Sequence, residues 1–347
     1  MTDIIPYPWQ QQHWQSLLGQ IERDKLPHGV LLSGQKGIGK WHYAELIANY
    51  LLCASPVSGL PCTKCRSCEL LATGNHPDKL LVQPEEVNKA IKVDQIRHLS
   101  AFVAKTAQQQ GYKIAVIGPV EQLNTNAGNA LLKSLEEPAG RTVLILTTNV
   151  TSGVMATIRS RCQLYPMPVP SHEASLEWLN SIKVSEDSEA LLSISAGSPL
   201  QASEVSEGAK REALQLFLSG LAAITQQEGS INLNLSKQWL ALELADIVDW
   251  WSQLINLLIH KAHKLGDSAN MGKEGEITEL LNEILSQSQY LRLQWLYKLL
   301  DRILTIKRQL LAGANPNKQL LLEELLLDWG TVVKAAVAAQ HHHKVTN

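Results

Sequence analysis

A parallel α/β sheet domain followed by an all-helical second half is the fold class that this sequence predicts, on three observations. Over residues 1–165, short strand-like runs alternate with helical patterns, the arrangement of a parallel sheet flanked by helices. Inside that stretch a glycine-rich turn, "GQKGIGK", joins an apolar run to a helical one. From Pro166 the strand signal stops: "PMPVP" has the proline density of a linker, and only helical patterns follow.

The elements follow in order. "HGVLLSG" reads as a strand, and a helix runs from about Trp41 to Leu52. "DKLLVQP" is a second strand, followed by a helix after Val93. "YKIAVIGP", a helix around "NALLKSLEE", and "TVLILTTN" complete the alternation. The middle helix starts at the capping residues Asn124 and Thr125 and stops before Pro138. Beyond the linker, two short helices over 172–206 are broken at Gly197-Ser198-Pro199. Longer ones over 208–227, 236–264, 276–286, 288–312 and 318–336 carry Leu and Trp at spacings of three and four. "GDSANMGKEG" and "GANPN" read as loops, and "QHHHKVTN" as a solvated tail rather than a metal site.

The chain's 347 residues leave room for two or three domains, each with its own core. It has no uncharged apolar run of about 18 residues and no basic-then-apolar N-terminus, so the expectation is a soluble, cytoplasmic protein without membrane contact. A net charge of −2 argues against a wholesale electrostatic grip on nucleic acid; any DNA contact is local or shared with partners. Five cysteines without a secretory context read as thiols or metal ligands before disulfides.

"GVLLSGQKGIGK" has the order of a P-loop: apolar strand, glycine-rich turn, helix. The backbone N–H groups of such a turn surround phosphates and its lysine meets the outer ones. Gly34, Gly37, Gly39 and Lys40 are therefore the candidate nucleotide-binding residues. Trp41 stands where a Ser or Thr would hold magnesium, and Gly118-Pro119 replace the acidic pair expected after the third strand. Glu121 is near in sequence but on the wrong step. No useful ATP hydrolysis by this chain is expected, and whether the loop still binds a nucleotide stays open.

Cys53, Cys62, Cys65 and Cys68 follow the P-loop helix, the last three at C-x-x-C spacing. Four thiolates close a tetrahedral Zn²⁺ shell and leave no position for water, so the site is expected to be structural. Cys162 stands apart. "ATIRSRC", residues 156–162, places Arg159 and Arg161 after the last strand of the alternation.

Taken together, "PHGVLLSGQKGIGK", the cysteine insertion, "NALLKSLEEPAG", "TTN" and "IRSRC" resemble the AAA+ clamp-loader subunits of bacterial replicative polymerases. The similarity runs from "YPWQQQHWQSL" to about residue 200, and more loosely to "NPNKQLLLEELLL". It implies an α/β P-loop AAA+ domain with a zinc-binding insertion over 1–166, a helical lid over 167–207, an all-α collar for oligomerisation over 208–337, and a tail over 338–347. It implies that Arg161, in the Ser-Arg-Cys motif, is a finger acting in trans on a neighbour's ATP, with Arg159 as the alternative. The implied partners are the gamma/tau motor subunits and the delta subunit, with the sliding clamp and primed DNA reached through the assembly. Trp41, Gly118-Pro119 and Leu200, where a lid arginine is expected, depart from the motor pattern and imply a non-hydrolysing member. The alternatives are a weakly active ATPase using Lys40 and Glu121, or a zinc-dependent DNA-binding protein. Thr147, Thr148 and Asn149 read either as a polar sensor or as a plain strand end. Lys133 is expected to pair with Glu136 or Glu137, and Arg97 to be a solvated helix residue.

Overall fold

The computed structural model describes residues 4–86, 89–109, 111–184, 186–231, 234–263, 275–286, 291–311, 313–314 and 316–345. Residues 1–174 and 175–347 form two compact units.

In the first unit, α1 (Gln11–Glu22) precedes β1 (Gly29–Ser33), and α2 (Lys40–Leu52) and α3 (Arg66–Ala72) lead to β2 (Lys79–Val82). There follow α4 (Val93–Val103), β3 (Lys113–Ile117), α5 (Thr125–Glu136), β4 (Thr142–Thr148), α6 (Ala156–Arg159) and β5 (Gln163–Pro166). The strands form one all-parallel sheet in the order β2-β3-β4-β1-β5, the P-loop arrangement expected of an AAA+ domain. Burial on both faces explains the unbroken apolar runs of β1, β3 and β4.

The strand period of two divides the side chains between two cores. Val30, Leu32, Ile114, Val116, Val143 and Ile145 meet α1 and α2 through Trp14, Leu17, Tyr43, Leu46 and Ile47. Leu31, Ala115, Ile117, Leu144 and Leu146 meet α4, α5 and α6 through Ile96, Leu99, Leu131, Leu135 and Ile158. Truncating one of these buried leucines to alanine costs about 2–5 kcal/mol.

β5 was not expected. Its residues "QLYP" pair only with β1, on the sheet edge, where a terminal proline costs no ladder bond. The chain stays on the sheet one residue further, the Met167 N–H donating to the Ser33 carbonyl at 2.7 Å. The linker-like "PMPVP" thus begins as part of the α/β core.

The second unit is all helical. α7 (His172–Ser181) leads into α8 (Ser188–Ile194), α9 (Pro199–Glu204), α10 (Gly208–Gln226) and α11 (Asn234–Trp239). α12 (Leu244–Ala262), α13 (Glu276–Ser286), α14 (Leu293–Leu311) and α15 (Lys318–Val345) follow. The segment over 172–206 thus holds three helices where two were expected. The helices of the expected lid share one core with those of the expected collar, Leu191 and Leu192 standing in the same cluster as Phe217, Trp251 and Leu322.

One long helix over 236–264 is replaced by α11 and α12. The Lys318 ammonium donates to the Leu240 carbonyl at 2.9 Å and to the Leu242 carbonyl, satisfying groups that helix continuation would have used. α15 runs past the expected end at 336 as far as Val345, through the good helix formers "KAAVAAQ". The expected loop "GDSANMGKEG" lies outside the described residues except for its last glycine. Among the described residues, no helix is long and apolar enough to cross a membrane.

Candidate functional site

The P-loop turns between β1 and α2. Gly37 and Gly39 adopt φ of 80° and 84°, a left-handed conformation that disfavours any side chain. The segment ahead of α1, which the sequence marks only as the start of the resemblance, grips this turn. The Trp9 indole N–H donates to the Ile38 carbonyl at 3.0 Å, and the fully buried Gln10 amide donates to the Ile38 and Gly39 carbonyls at 3.0 Å each. Tyr7 stacks on Trp9 at 4.9 Å and covers Gly39, where a Cβ would stand 2.8 Å from its ring. The dense "YPWQ" ahead of α1 was the available signal.

Lys40 turns back on the loop and donates to the Gln35 carbonyl at 2.6 Å. Burial pulls its pKa down to about 8, against the attraction of Glu121. Trp41 packs half-buried against the first core instead of offering an oxygen to a metal. At the end of β3, a Cβ on Gly118 would stand 1.9 Å from the Thr147 hydroxyl, so a side chain at this position, where the sequence pattern led to the expectation of an acidic residue, would meet β4. Glu121 accepts the Asn149 N–H on Oε1 at 2.8 Å, and its buried Oε2 has no hydrogen-bond partner among the described residues. Thr148 Oγ1 accepts the Val150 N–H, ending the strand locally.

The four cysteines converge. Cys53 ends α2, Cys65 caps α3, Cys68 lies within α3, and Cys62 sits on the intervening loop. All four sulfurs lie within 4.8 Å of one another, with separations of 4.0 Å for Cys53–Cys65, 3.9 Å for Cys62–Cys68 and 3.6 Å for Cys53–Cys68. Zinc–sulfur bonds of about 2.3 Å in a tetrahedron require sulfurs about 3.8 Å apart, so this donor set fits the ion. The Cys62 N–H donates to Cys53 Sγ at 3.2 Å and the Cys68 N–H to Cys65 Sγ at 3.5 Å, the support that metal thiolates need. Backbone N–H groups, that of Lys64 foremost, and the Ser55 hydroxyl lower the Cys62 pKa to about 5, while burial raises that of Cys68.

A buried polar chain, also missed in the sequence, joins this module to the sheet. His76 accepts the Asp78 N–H on Nδ1, which leaves Nε2 to donate to the Ser67 hydroxyl of α3 at 2.8 Å. Asp78 in turn accepts the N–H groups of Gln108 and Gln109 and pairs with buried Lys113 at 3.3 Å. These bonds hold its carboxyl below the usual range despite the burial that pushes it up.

Arg161 follows α6 and is partly exposed. Its Nε donates to Glu136 Oε1 at 2.8 Å, Nη2 bonds the same oxygen, and Nη1 donates to the Thr157 carbonyl at 2.9 Å. The expected pairing of Lys133 with Glu136 or Glu137 is overturned. Glu136, at the end of α5, turns to α6, and Lys133 makes no ion pair among the described residues. Arg159 is exposed. Arg97 pairs with Asp94 on the surface of α4 at 2.8 Å. Cys162 lies apart from the cysteine cluster, its pKa raised to about 11 by burial.

Comparison with known proteins bears on this geometry. The family described as DNA polymerase III, delta subunit, matches residues 9–171, and its C-terminal counterpart matches residues 210–331. The DNA polymerase III subunit delta' of Pseudomonas aeruginosa is 37% identical over 336 residues, covering 96% of this chain and 99% of that one. The chain belongs to the DNA polymerase III delta' family. The delta' subunit of Escherichia coli K12 is 29% identical over 331 residues, covering 92% and 94% of the two chains. A solved structure of a DNA polymerase III gamma subunit-related protein from Thermotoga maritima is 19% identical, with a TM-score of 0.47 over 92% of this chain and 99% of that one.

Proposed function

We propose that this chain is a non-hydrolysing subunit of the replicative clamp loader. It helps to load the sliding clamp onto primed DNA and donates Arg161 to the ATP of a neighbouring gamma/tau motor subunit. The observation that carries this reading is the loss of both metal-holding positions: Trp41 packs half-buried against the first core with no oxygen to offer, and Gly118 lies against Thr147 where a carboxylate would have to stand. Losing a positioned base alone costs about two to four powers of ten in rate, and here the metal's protein ligands are gone as well. Arg161 lies on the surface of the same domain, and a finger supplied in trans is worth about three to five powers of ten at the site it serves. A subunit can therefore lose its own chemistry and keep its neighbour's.

Cys53, Cys62, Cys65 and Cys68 hold a structural Zn²⁺ in this reading, which supplies rigidity and no reaction step. Residues 1–166 act as the AAA+ domain, 167–207 as the lid and 208–337 as the collar that meets the motor and delta subunits. Most collar tryptophans fill the unit's own core, while Tyr297, Leu304, Leu320 and Leu327 are 40–56% exposed and are the apolar surface offered to partners. The working compartment is the cytoplasm.

One observation favours a second reading, a weak ATPase: Glu121 carries charge close to Lys40. Its Oε1, however, is already committed to the Asn149 N–H. The deciding experiment is DNA- and clamp-stimulated ATPase of the reconstituted assembly with this chain or its Arg161→Ala form at equal incorporation, beside the isolated chain. The expected result is no turnover by the isolated chain and a clear loss in the assembly with Arg161→Ala. Substantial turnover by the chain alone, or an indifferent Arg161→Ala, would overturn the reading.

A further inference from the structure

We propose that Glu136 is a positioning residue for Arg161, an inference that rests on the finger role given to Arg161 above. A guanidinium has five N–H donors. One on Nε and one on Nη2 go to Glu136 Oε1, and Nη1 bonds the Thr157 carbonyl at 2.9 Å and the Ser160 hydroxyl at 3.4 Å. One N–H on Nη2 is left over. The side chain is therefore ordered before any neighbour arrives, with its charge at the surface and its outer edge unspent.

The support for Glu136 is itself fixed. Glu136 closes α5, whose Leu135 is buried in the core. His28 donates from Nε2 to the Leu135 carbonyl at 3.0 Å, tying the end of α5 to the start of β1. One residue on, a Cβ at Gly29 would stand 2.9 Å from the Arg161 carbonyl, so only glycine lets the Arg161 backbone approach β1 this closely. Glu136, Arg161, His28, Leu135 and Ser160 line one surface depression. The finger's backbone and its carboxylate clamp are thus both registered on the P-loop strand.

The pair does little for folding. Its side chains are 34% and 47% exposed, and ion pairs this open add little to stability. Its effect is geometric. An unrestrained arginine side chain loses rotamer freedom when it is fixed, and an ångström of misplacement in a reacting site costs up to about a hundredfold. Holding the guanidinium in advance removes that loss from the step that needs it. Because both bonds end on the single oxygen Oε1, a glutamine amide oxygen reproduces them and an alanine does not.

The test uses the reconstituted assembly and measures DNA- and clamp-stimulated ATPase, with kcat and KM for ATP resolved separately. The turnover lost in Arg161→Ala sets the scale. Glu136→Ala is expected to remove more than roughly half of that share through kcat, with KM within about twofold. Glu136→Gln should stay near the parent, and Glu136→Ala should add nothing in the Arg161→Ala background. Equal incorporation and unchanged thermal unfolding separate this from a folding defect. If Arg161→Ala loses turnover while Glu136→Ala keeps it, the finger stands and the positioning role falls. A Glu136→Gln as poor as Glu136→Ala, or a further loss in the Arg161→Ala background, also overturns it. An Arg161→Ala without effect removes the finger reading, and the inference with it.

Discussion

Gly118 lies so close to Thr147 that a Cβ would stand 1.9 Å from the threonine hydroxyl and 3.0 Å from its carbonyl oxygen. On the reading proposed above, this is the position where a motor ATPase carries its metal-orienting carboxylate, and Thr147 of β4 crowds it. Gly118→Asp should destabilise the first unit by about 1–3 kcal/mol through overpacking. It should also fail to create ATPase activity, even combined with Trp41→Ser. Denaturant unfolding and a turnover assay on the purified double variant check both halves; measurable magnesium-dependent hydrolysis would show that the loss is chemical and not steric.

Lys40 is the P-loop residue with the clearest electrostatic cost. Burial lowers its pKa from 10.5 to about 8 while Glu121 pulls the other way. Between those two values the unfolded chain binds more protons at this lysine than the folded one, so folding stability at this site rises with pH there. A shift of that size corresponds to about 3 kcal/mol. Lys40→Met should be favoured over the parent most strongly below pH 8, with the advantage shrinking by about that amount as pH approaches 10.5. Urea unfolding of both proteins at pH 7, 8.5 and 10 tests this, because the other titrating groups cancel in the difference. A gap that does not change with pH would mean that the charge is well solvated.

The central strands were legible because Val30, Leu31 and Leu32 belong to a run buried on both faces, and such runs are visible as composition. The P-loop, the cysteine spacing and the position of Arg161 were legible because each is a local pattern. What escaped is non-local. β5 is four residues ending in proline and exists only because β1 offers it an edge. At the break between α11 and α12, the carbonyls of Leu240 and Leu242 are met by Lys318, some 76–78 residues away. Lys133 is nearer to Glu136 in sequence than Arg161 is, yet the end of α5 turns the carboxylate toward α6. The grip of Gln10 on the P-loop spans 28 residues and involves backbone carbonyls, which no residue pattern announces.

The cysteine geometry makes a direct prediction about metal content. The protein purified under reducing conditions should carry about one zinc per chain, and Cys68→Ser should lose most of it. The damage should be local at first. Cys53 terminates α2, and the Gly59 carbonyl accepts the Trp14 indole N–H at 2.9 Å, so releasing the metal frees the loop over 54–65 before it reaches the sheet. Limited proteolysis with and without a strong chelator should reveal new cleavage inside that loop. Metal-free protein with the same cleavage pattern and the same melting temperature would refute a structural ion.

Asp187 gives the sharpest stability prediction in the second unit. Its side chain is fully buried, Arg211 donates to Oδ2 at 2.7 Å, and Oδ1 accepts both the Thr278 N–H and the Thr278 hydroxyl at 2.8 Å. It therefore caps the start of α13 from outside that helix while neutralising an arginine of α10. Its backbone is left-handed, with φ of 59°, a conformation that aspartate and asparagine tolerate better than alanine. Asp187→Ala removes the cap, strands the Arg211 charge and strains the turn at once, and should cost about 3–5 kcal/mol. Asp187→Asn keeps an acceptor for Thr278 and the tolerated backbone, so it should cost visibly less. Thermal and denaturant unfolding of the two variants separate the terms: equal losses would assign the whole effect to the Arg211 ion pair, and a loss only in Asp187→Ala would assign it to the cap and the turn.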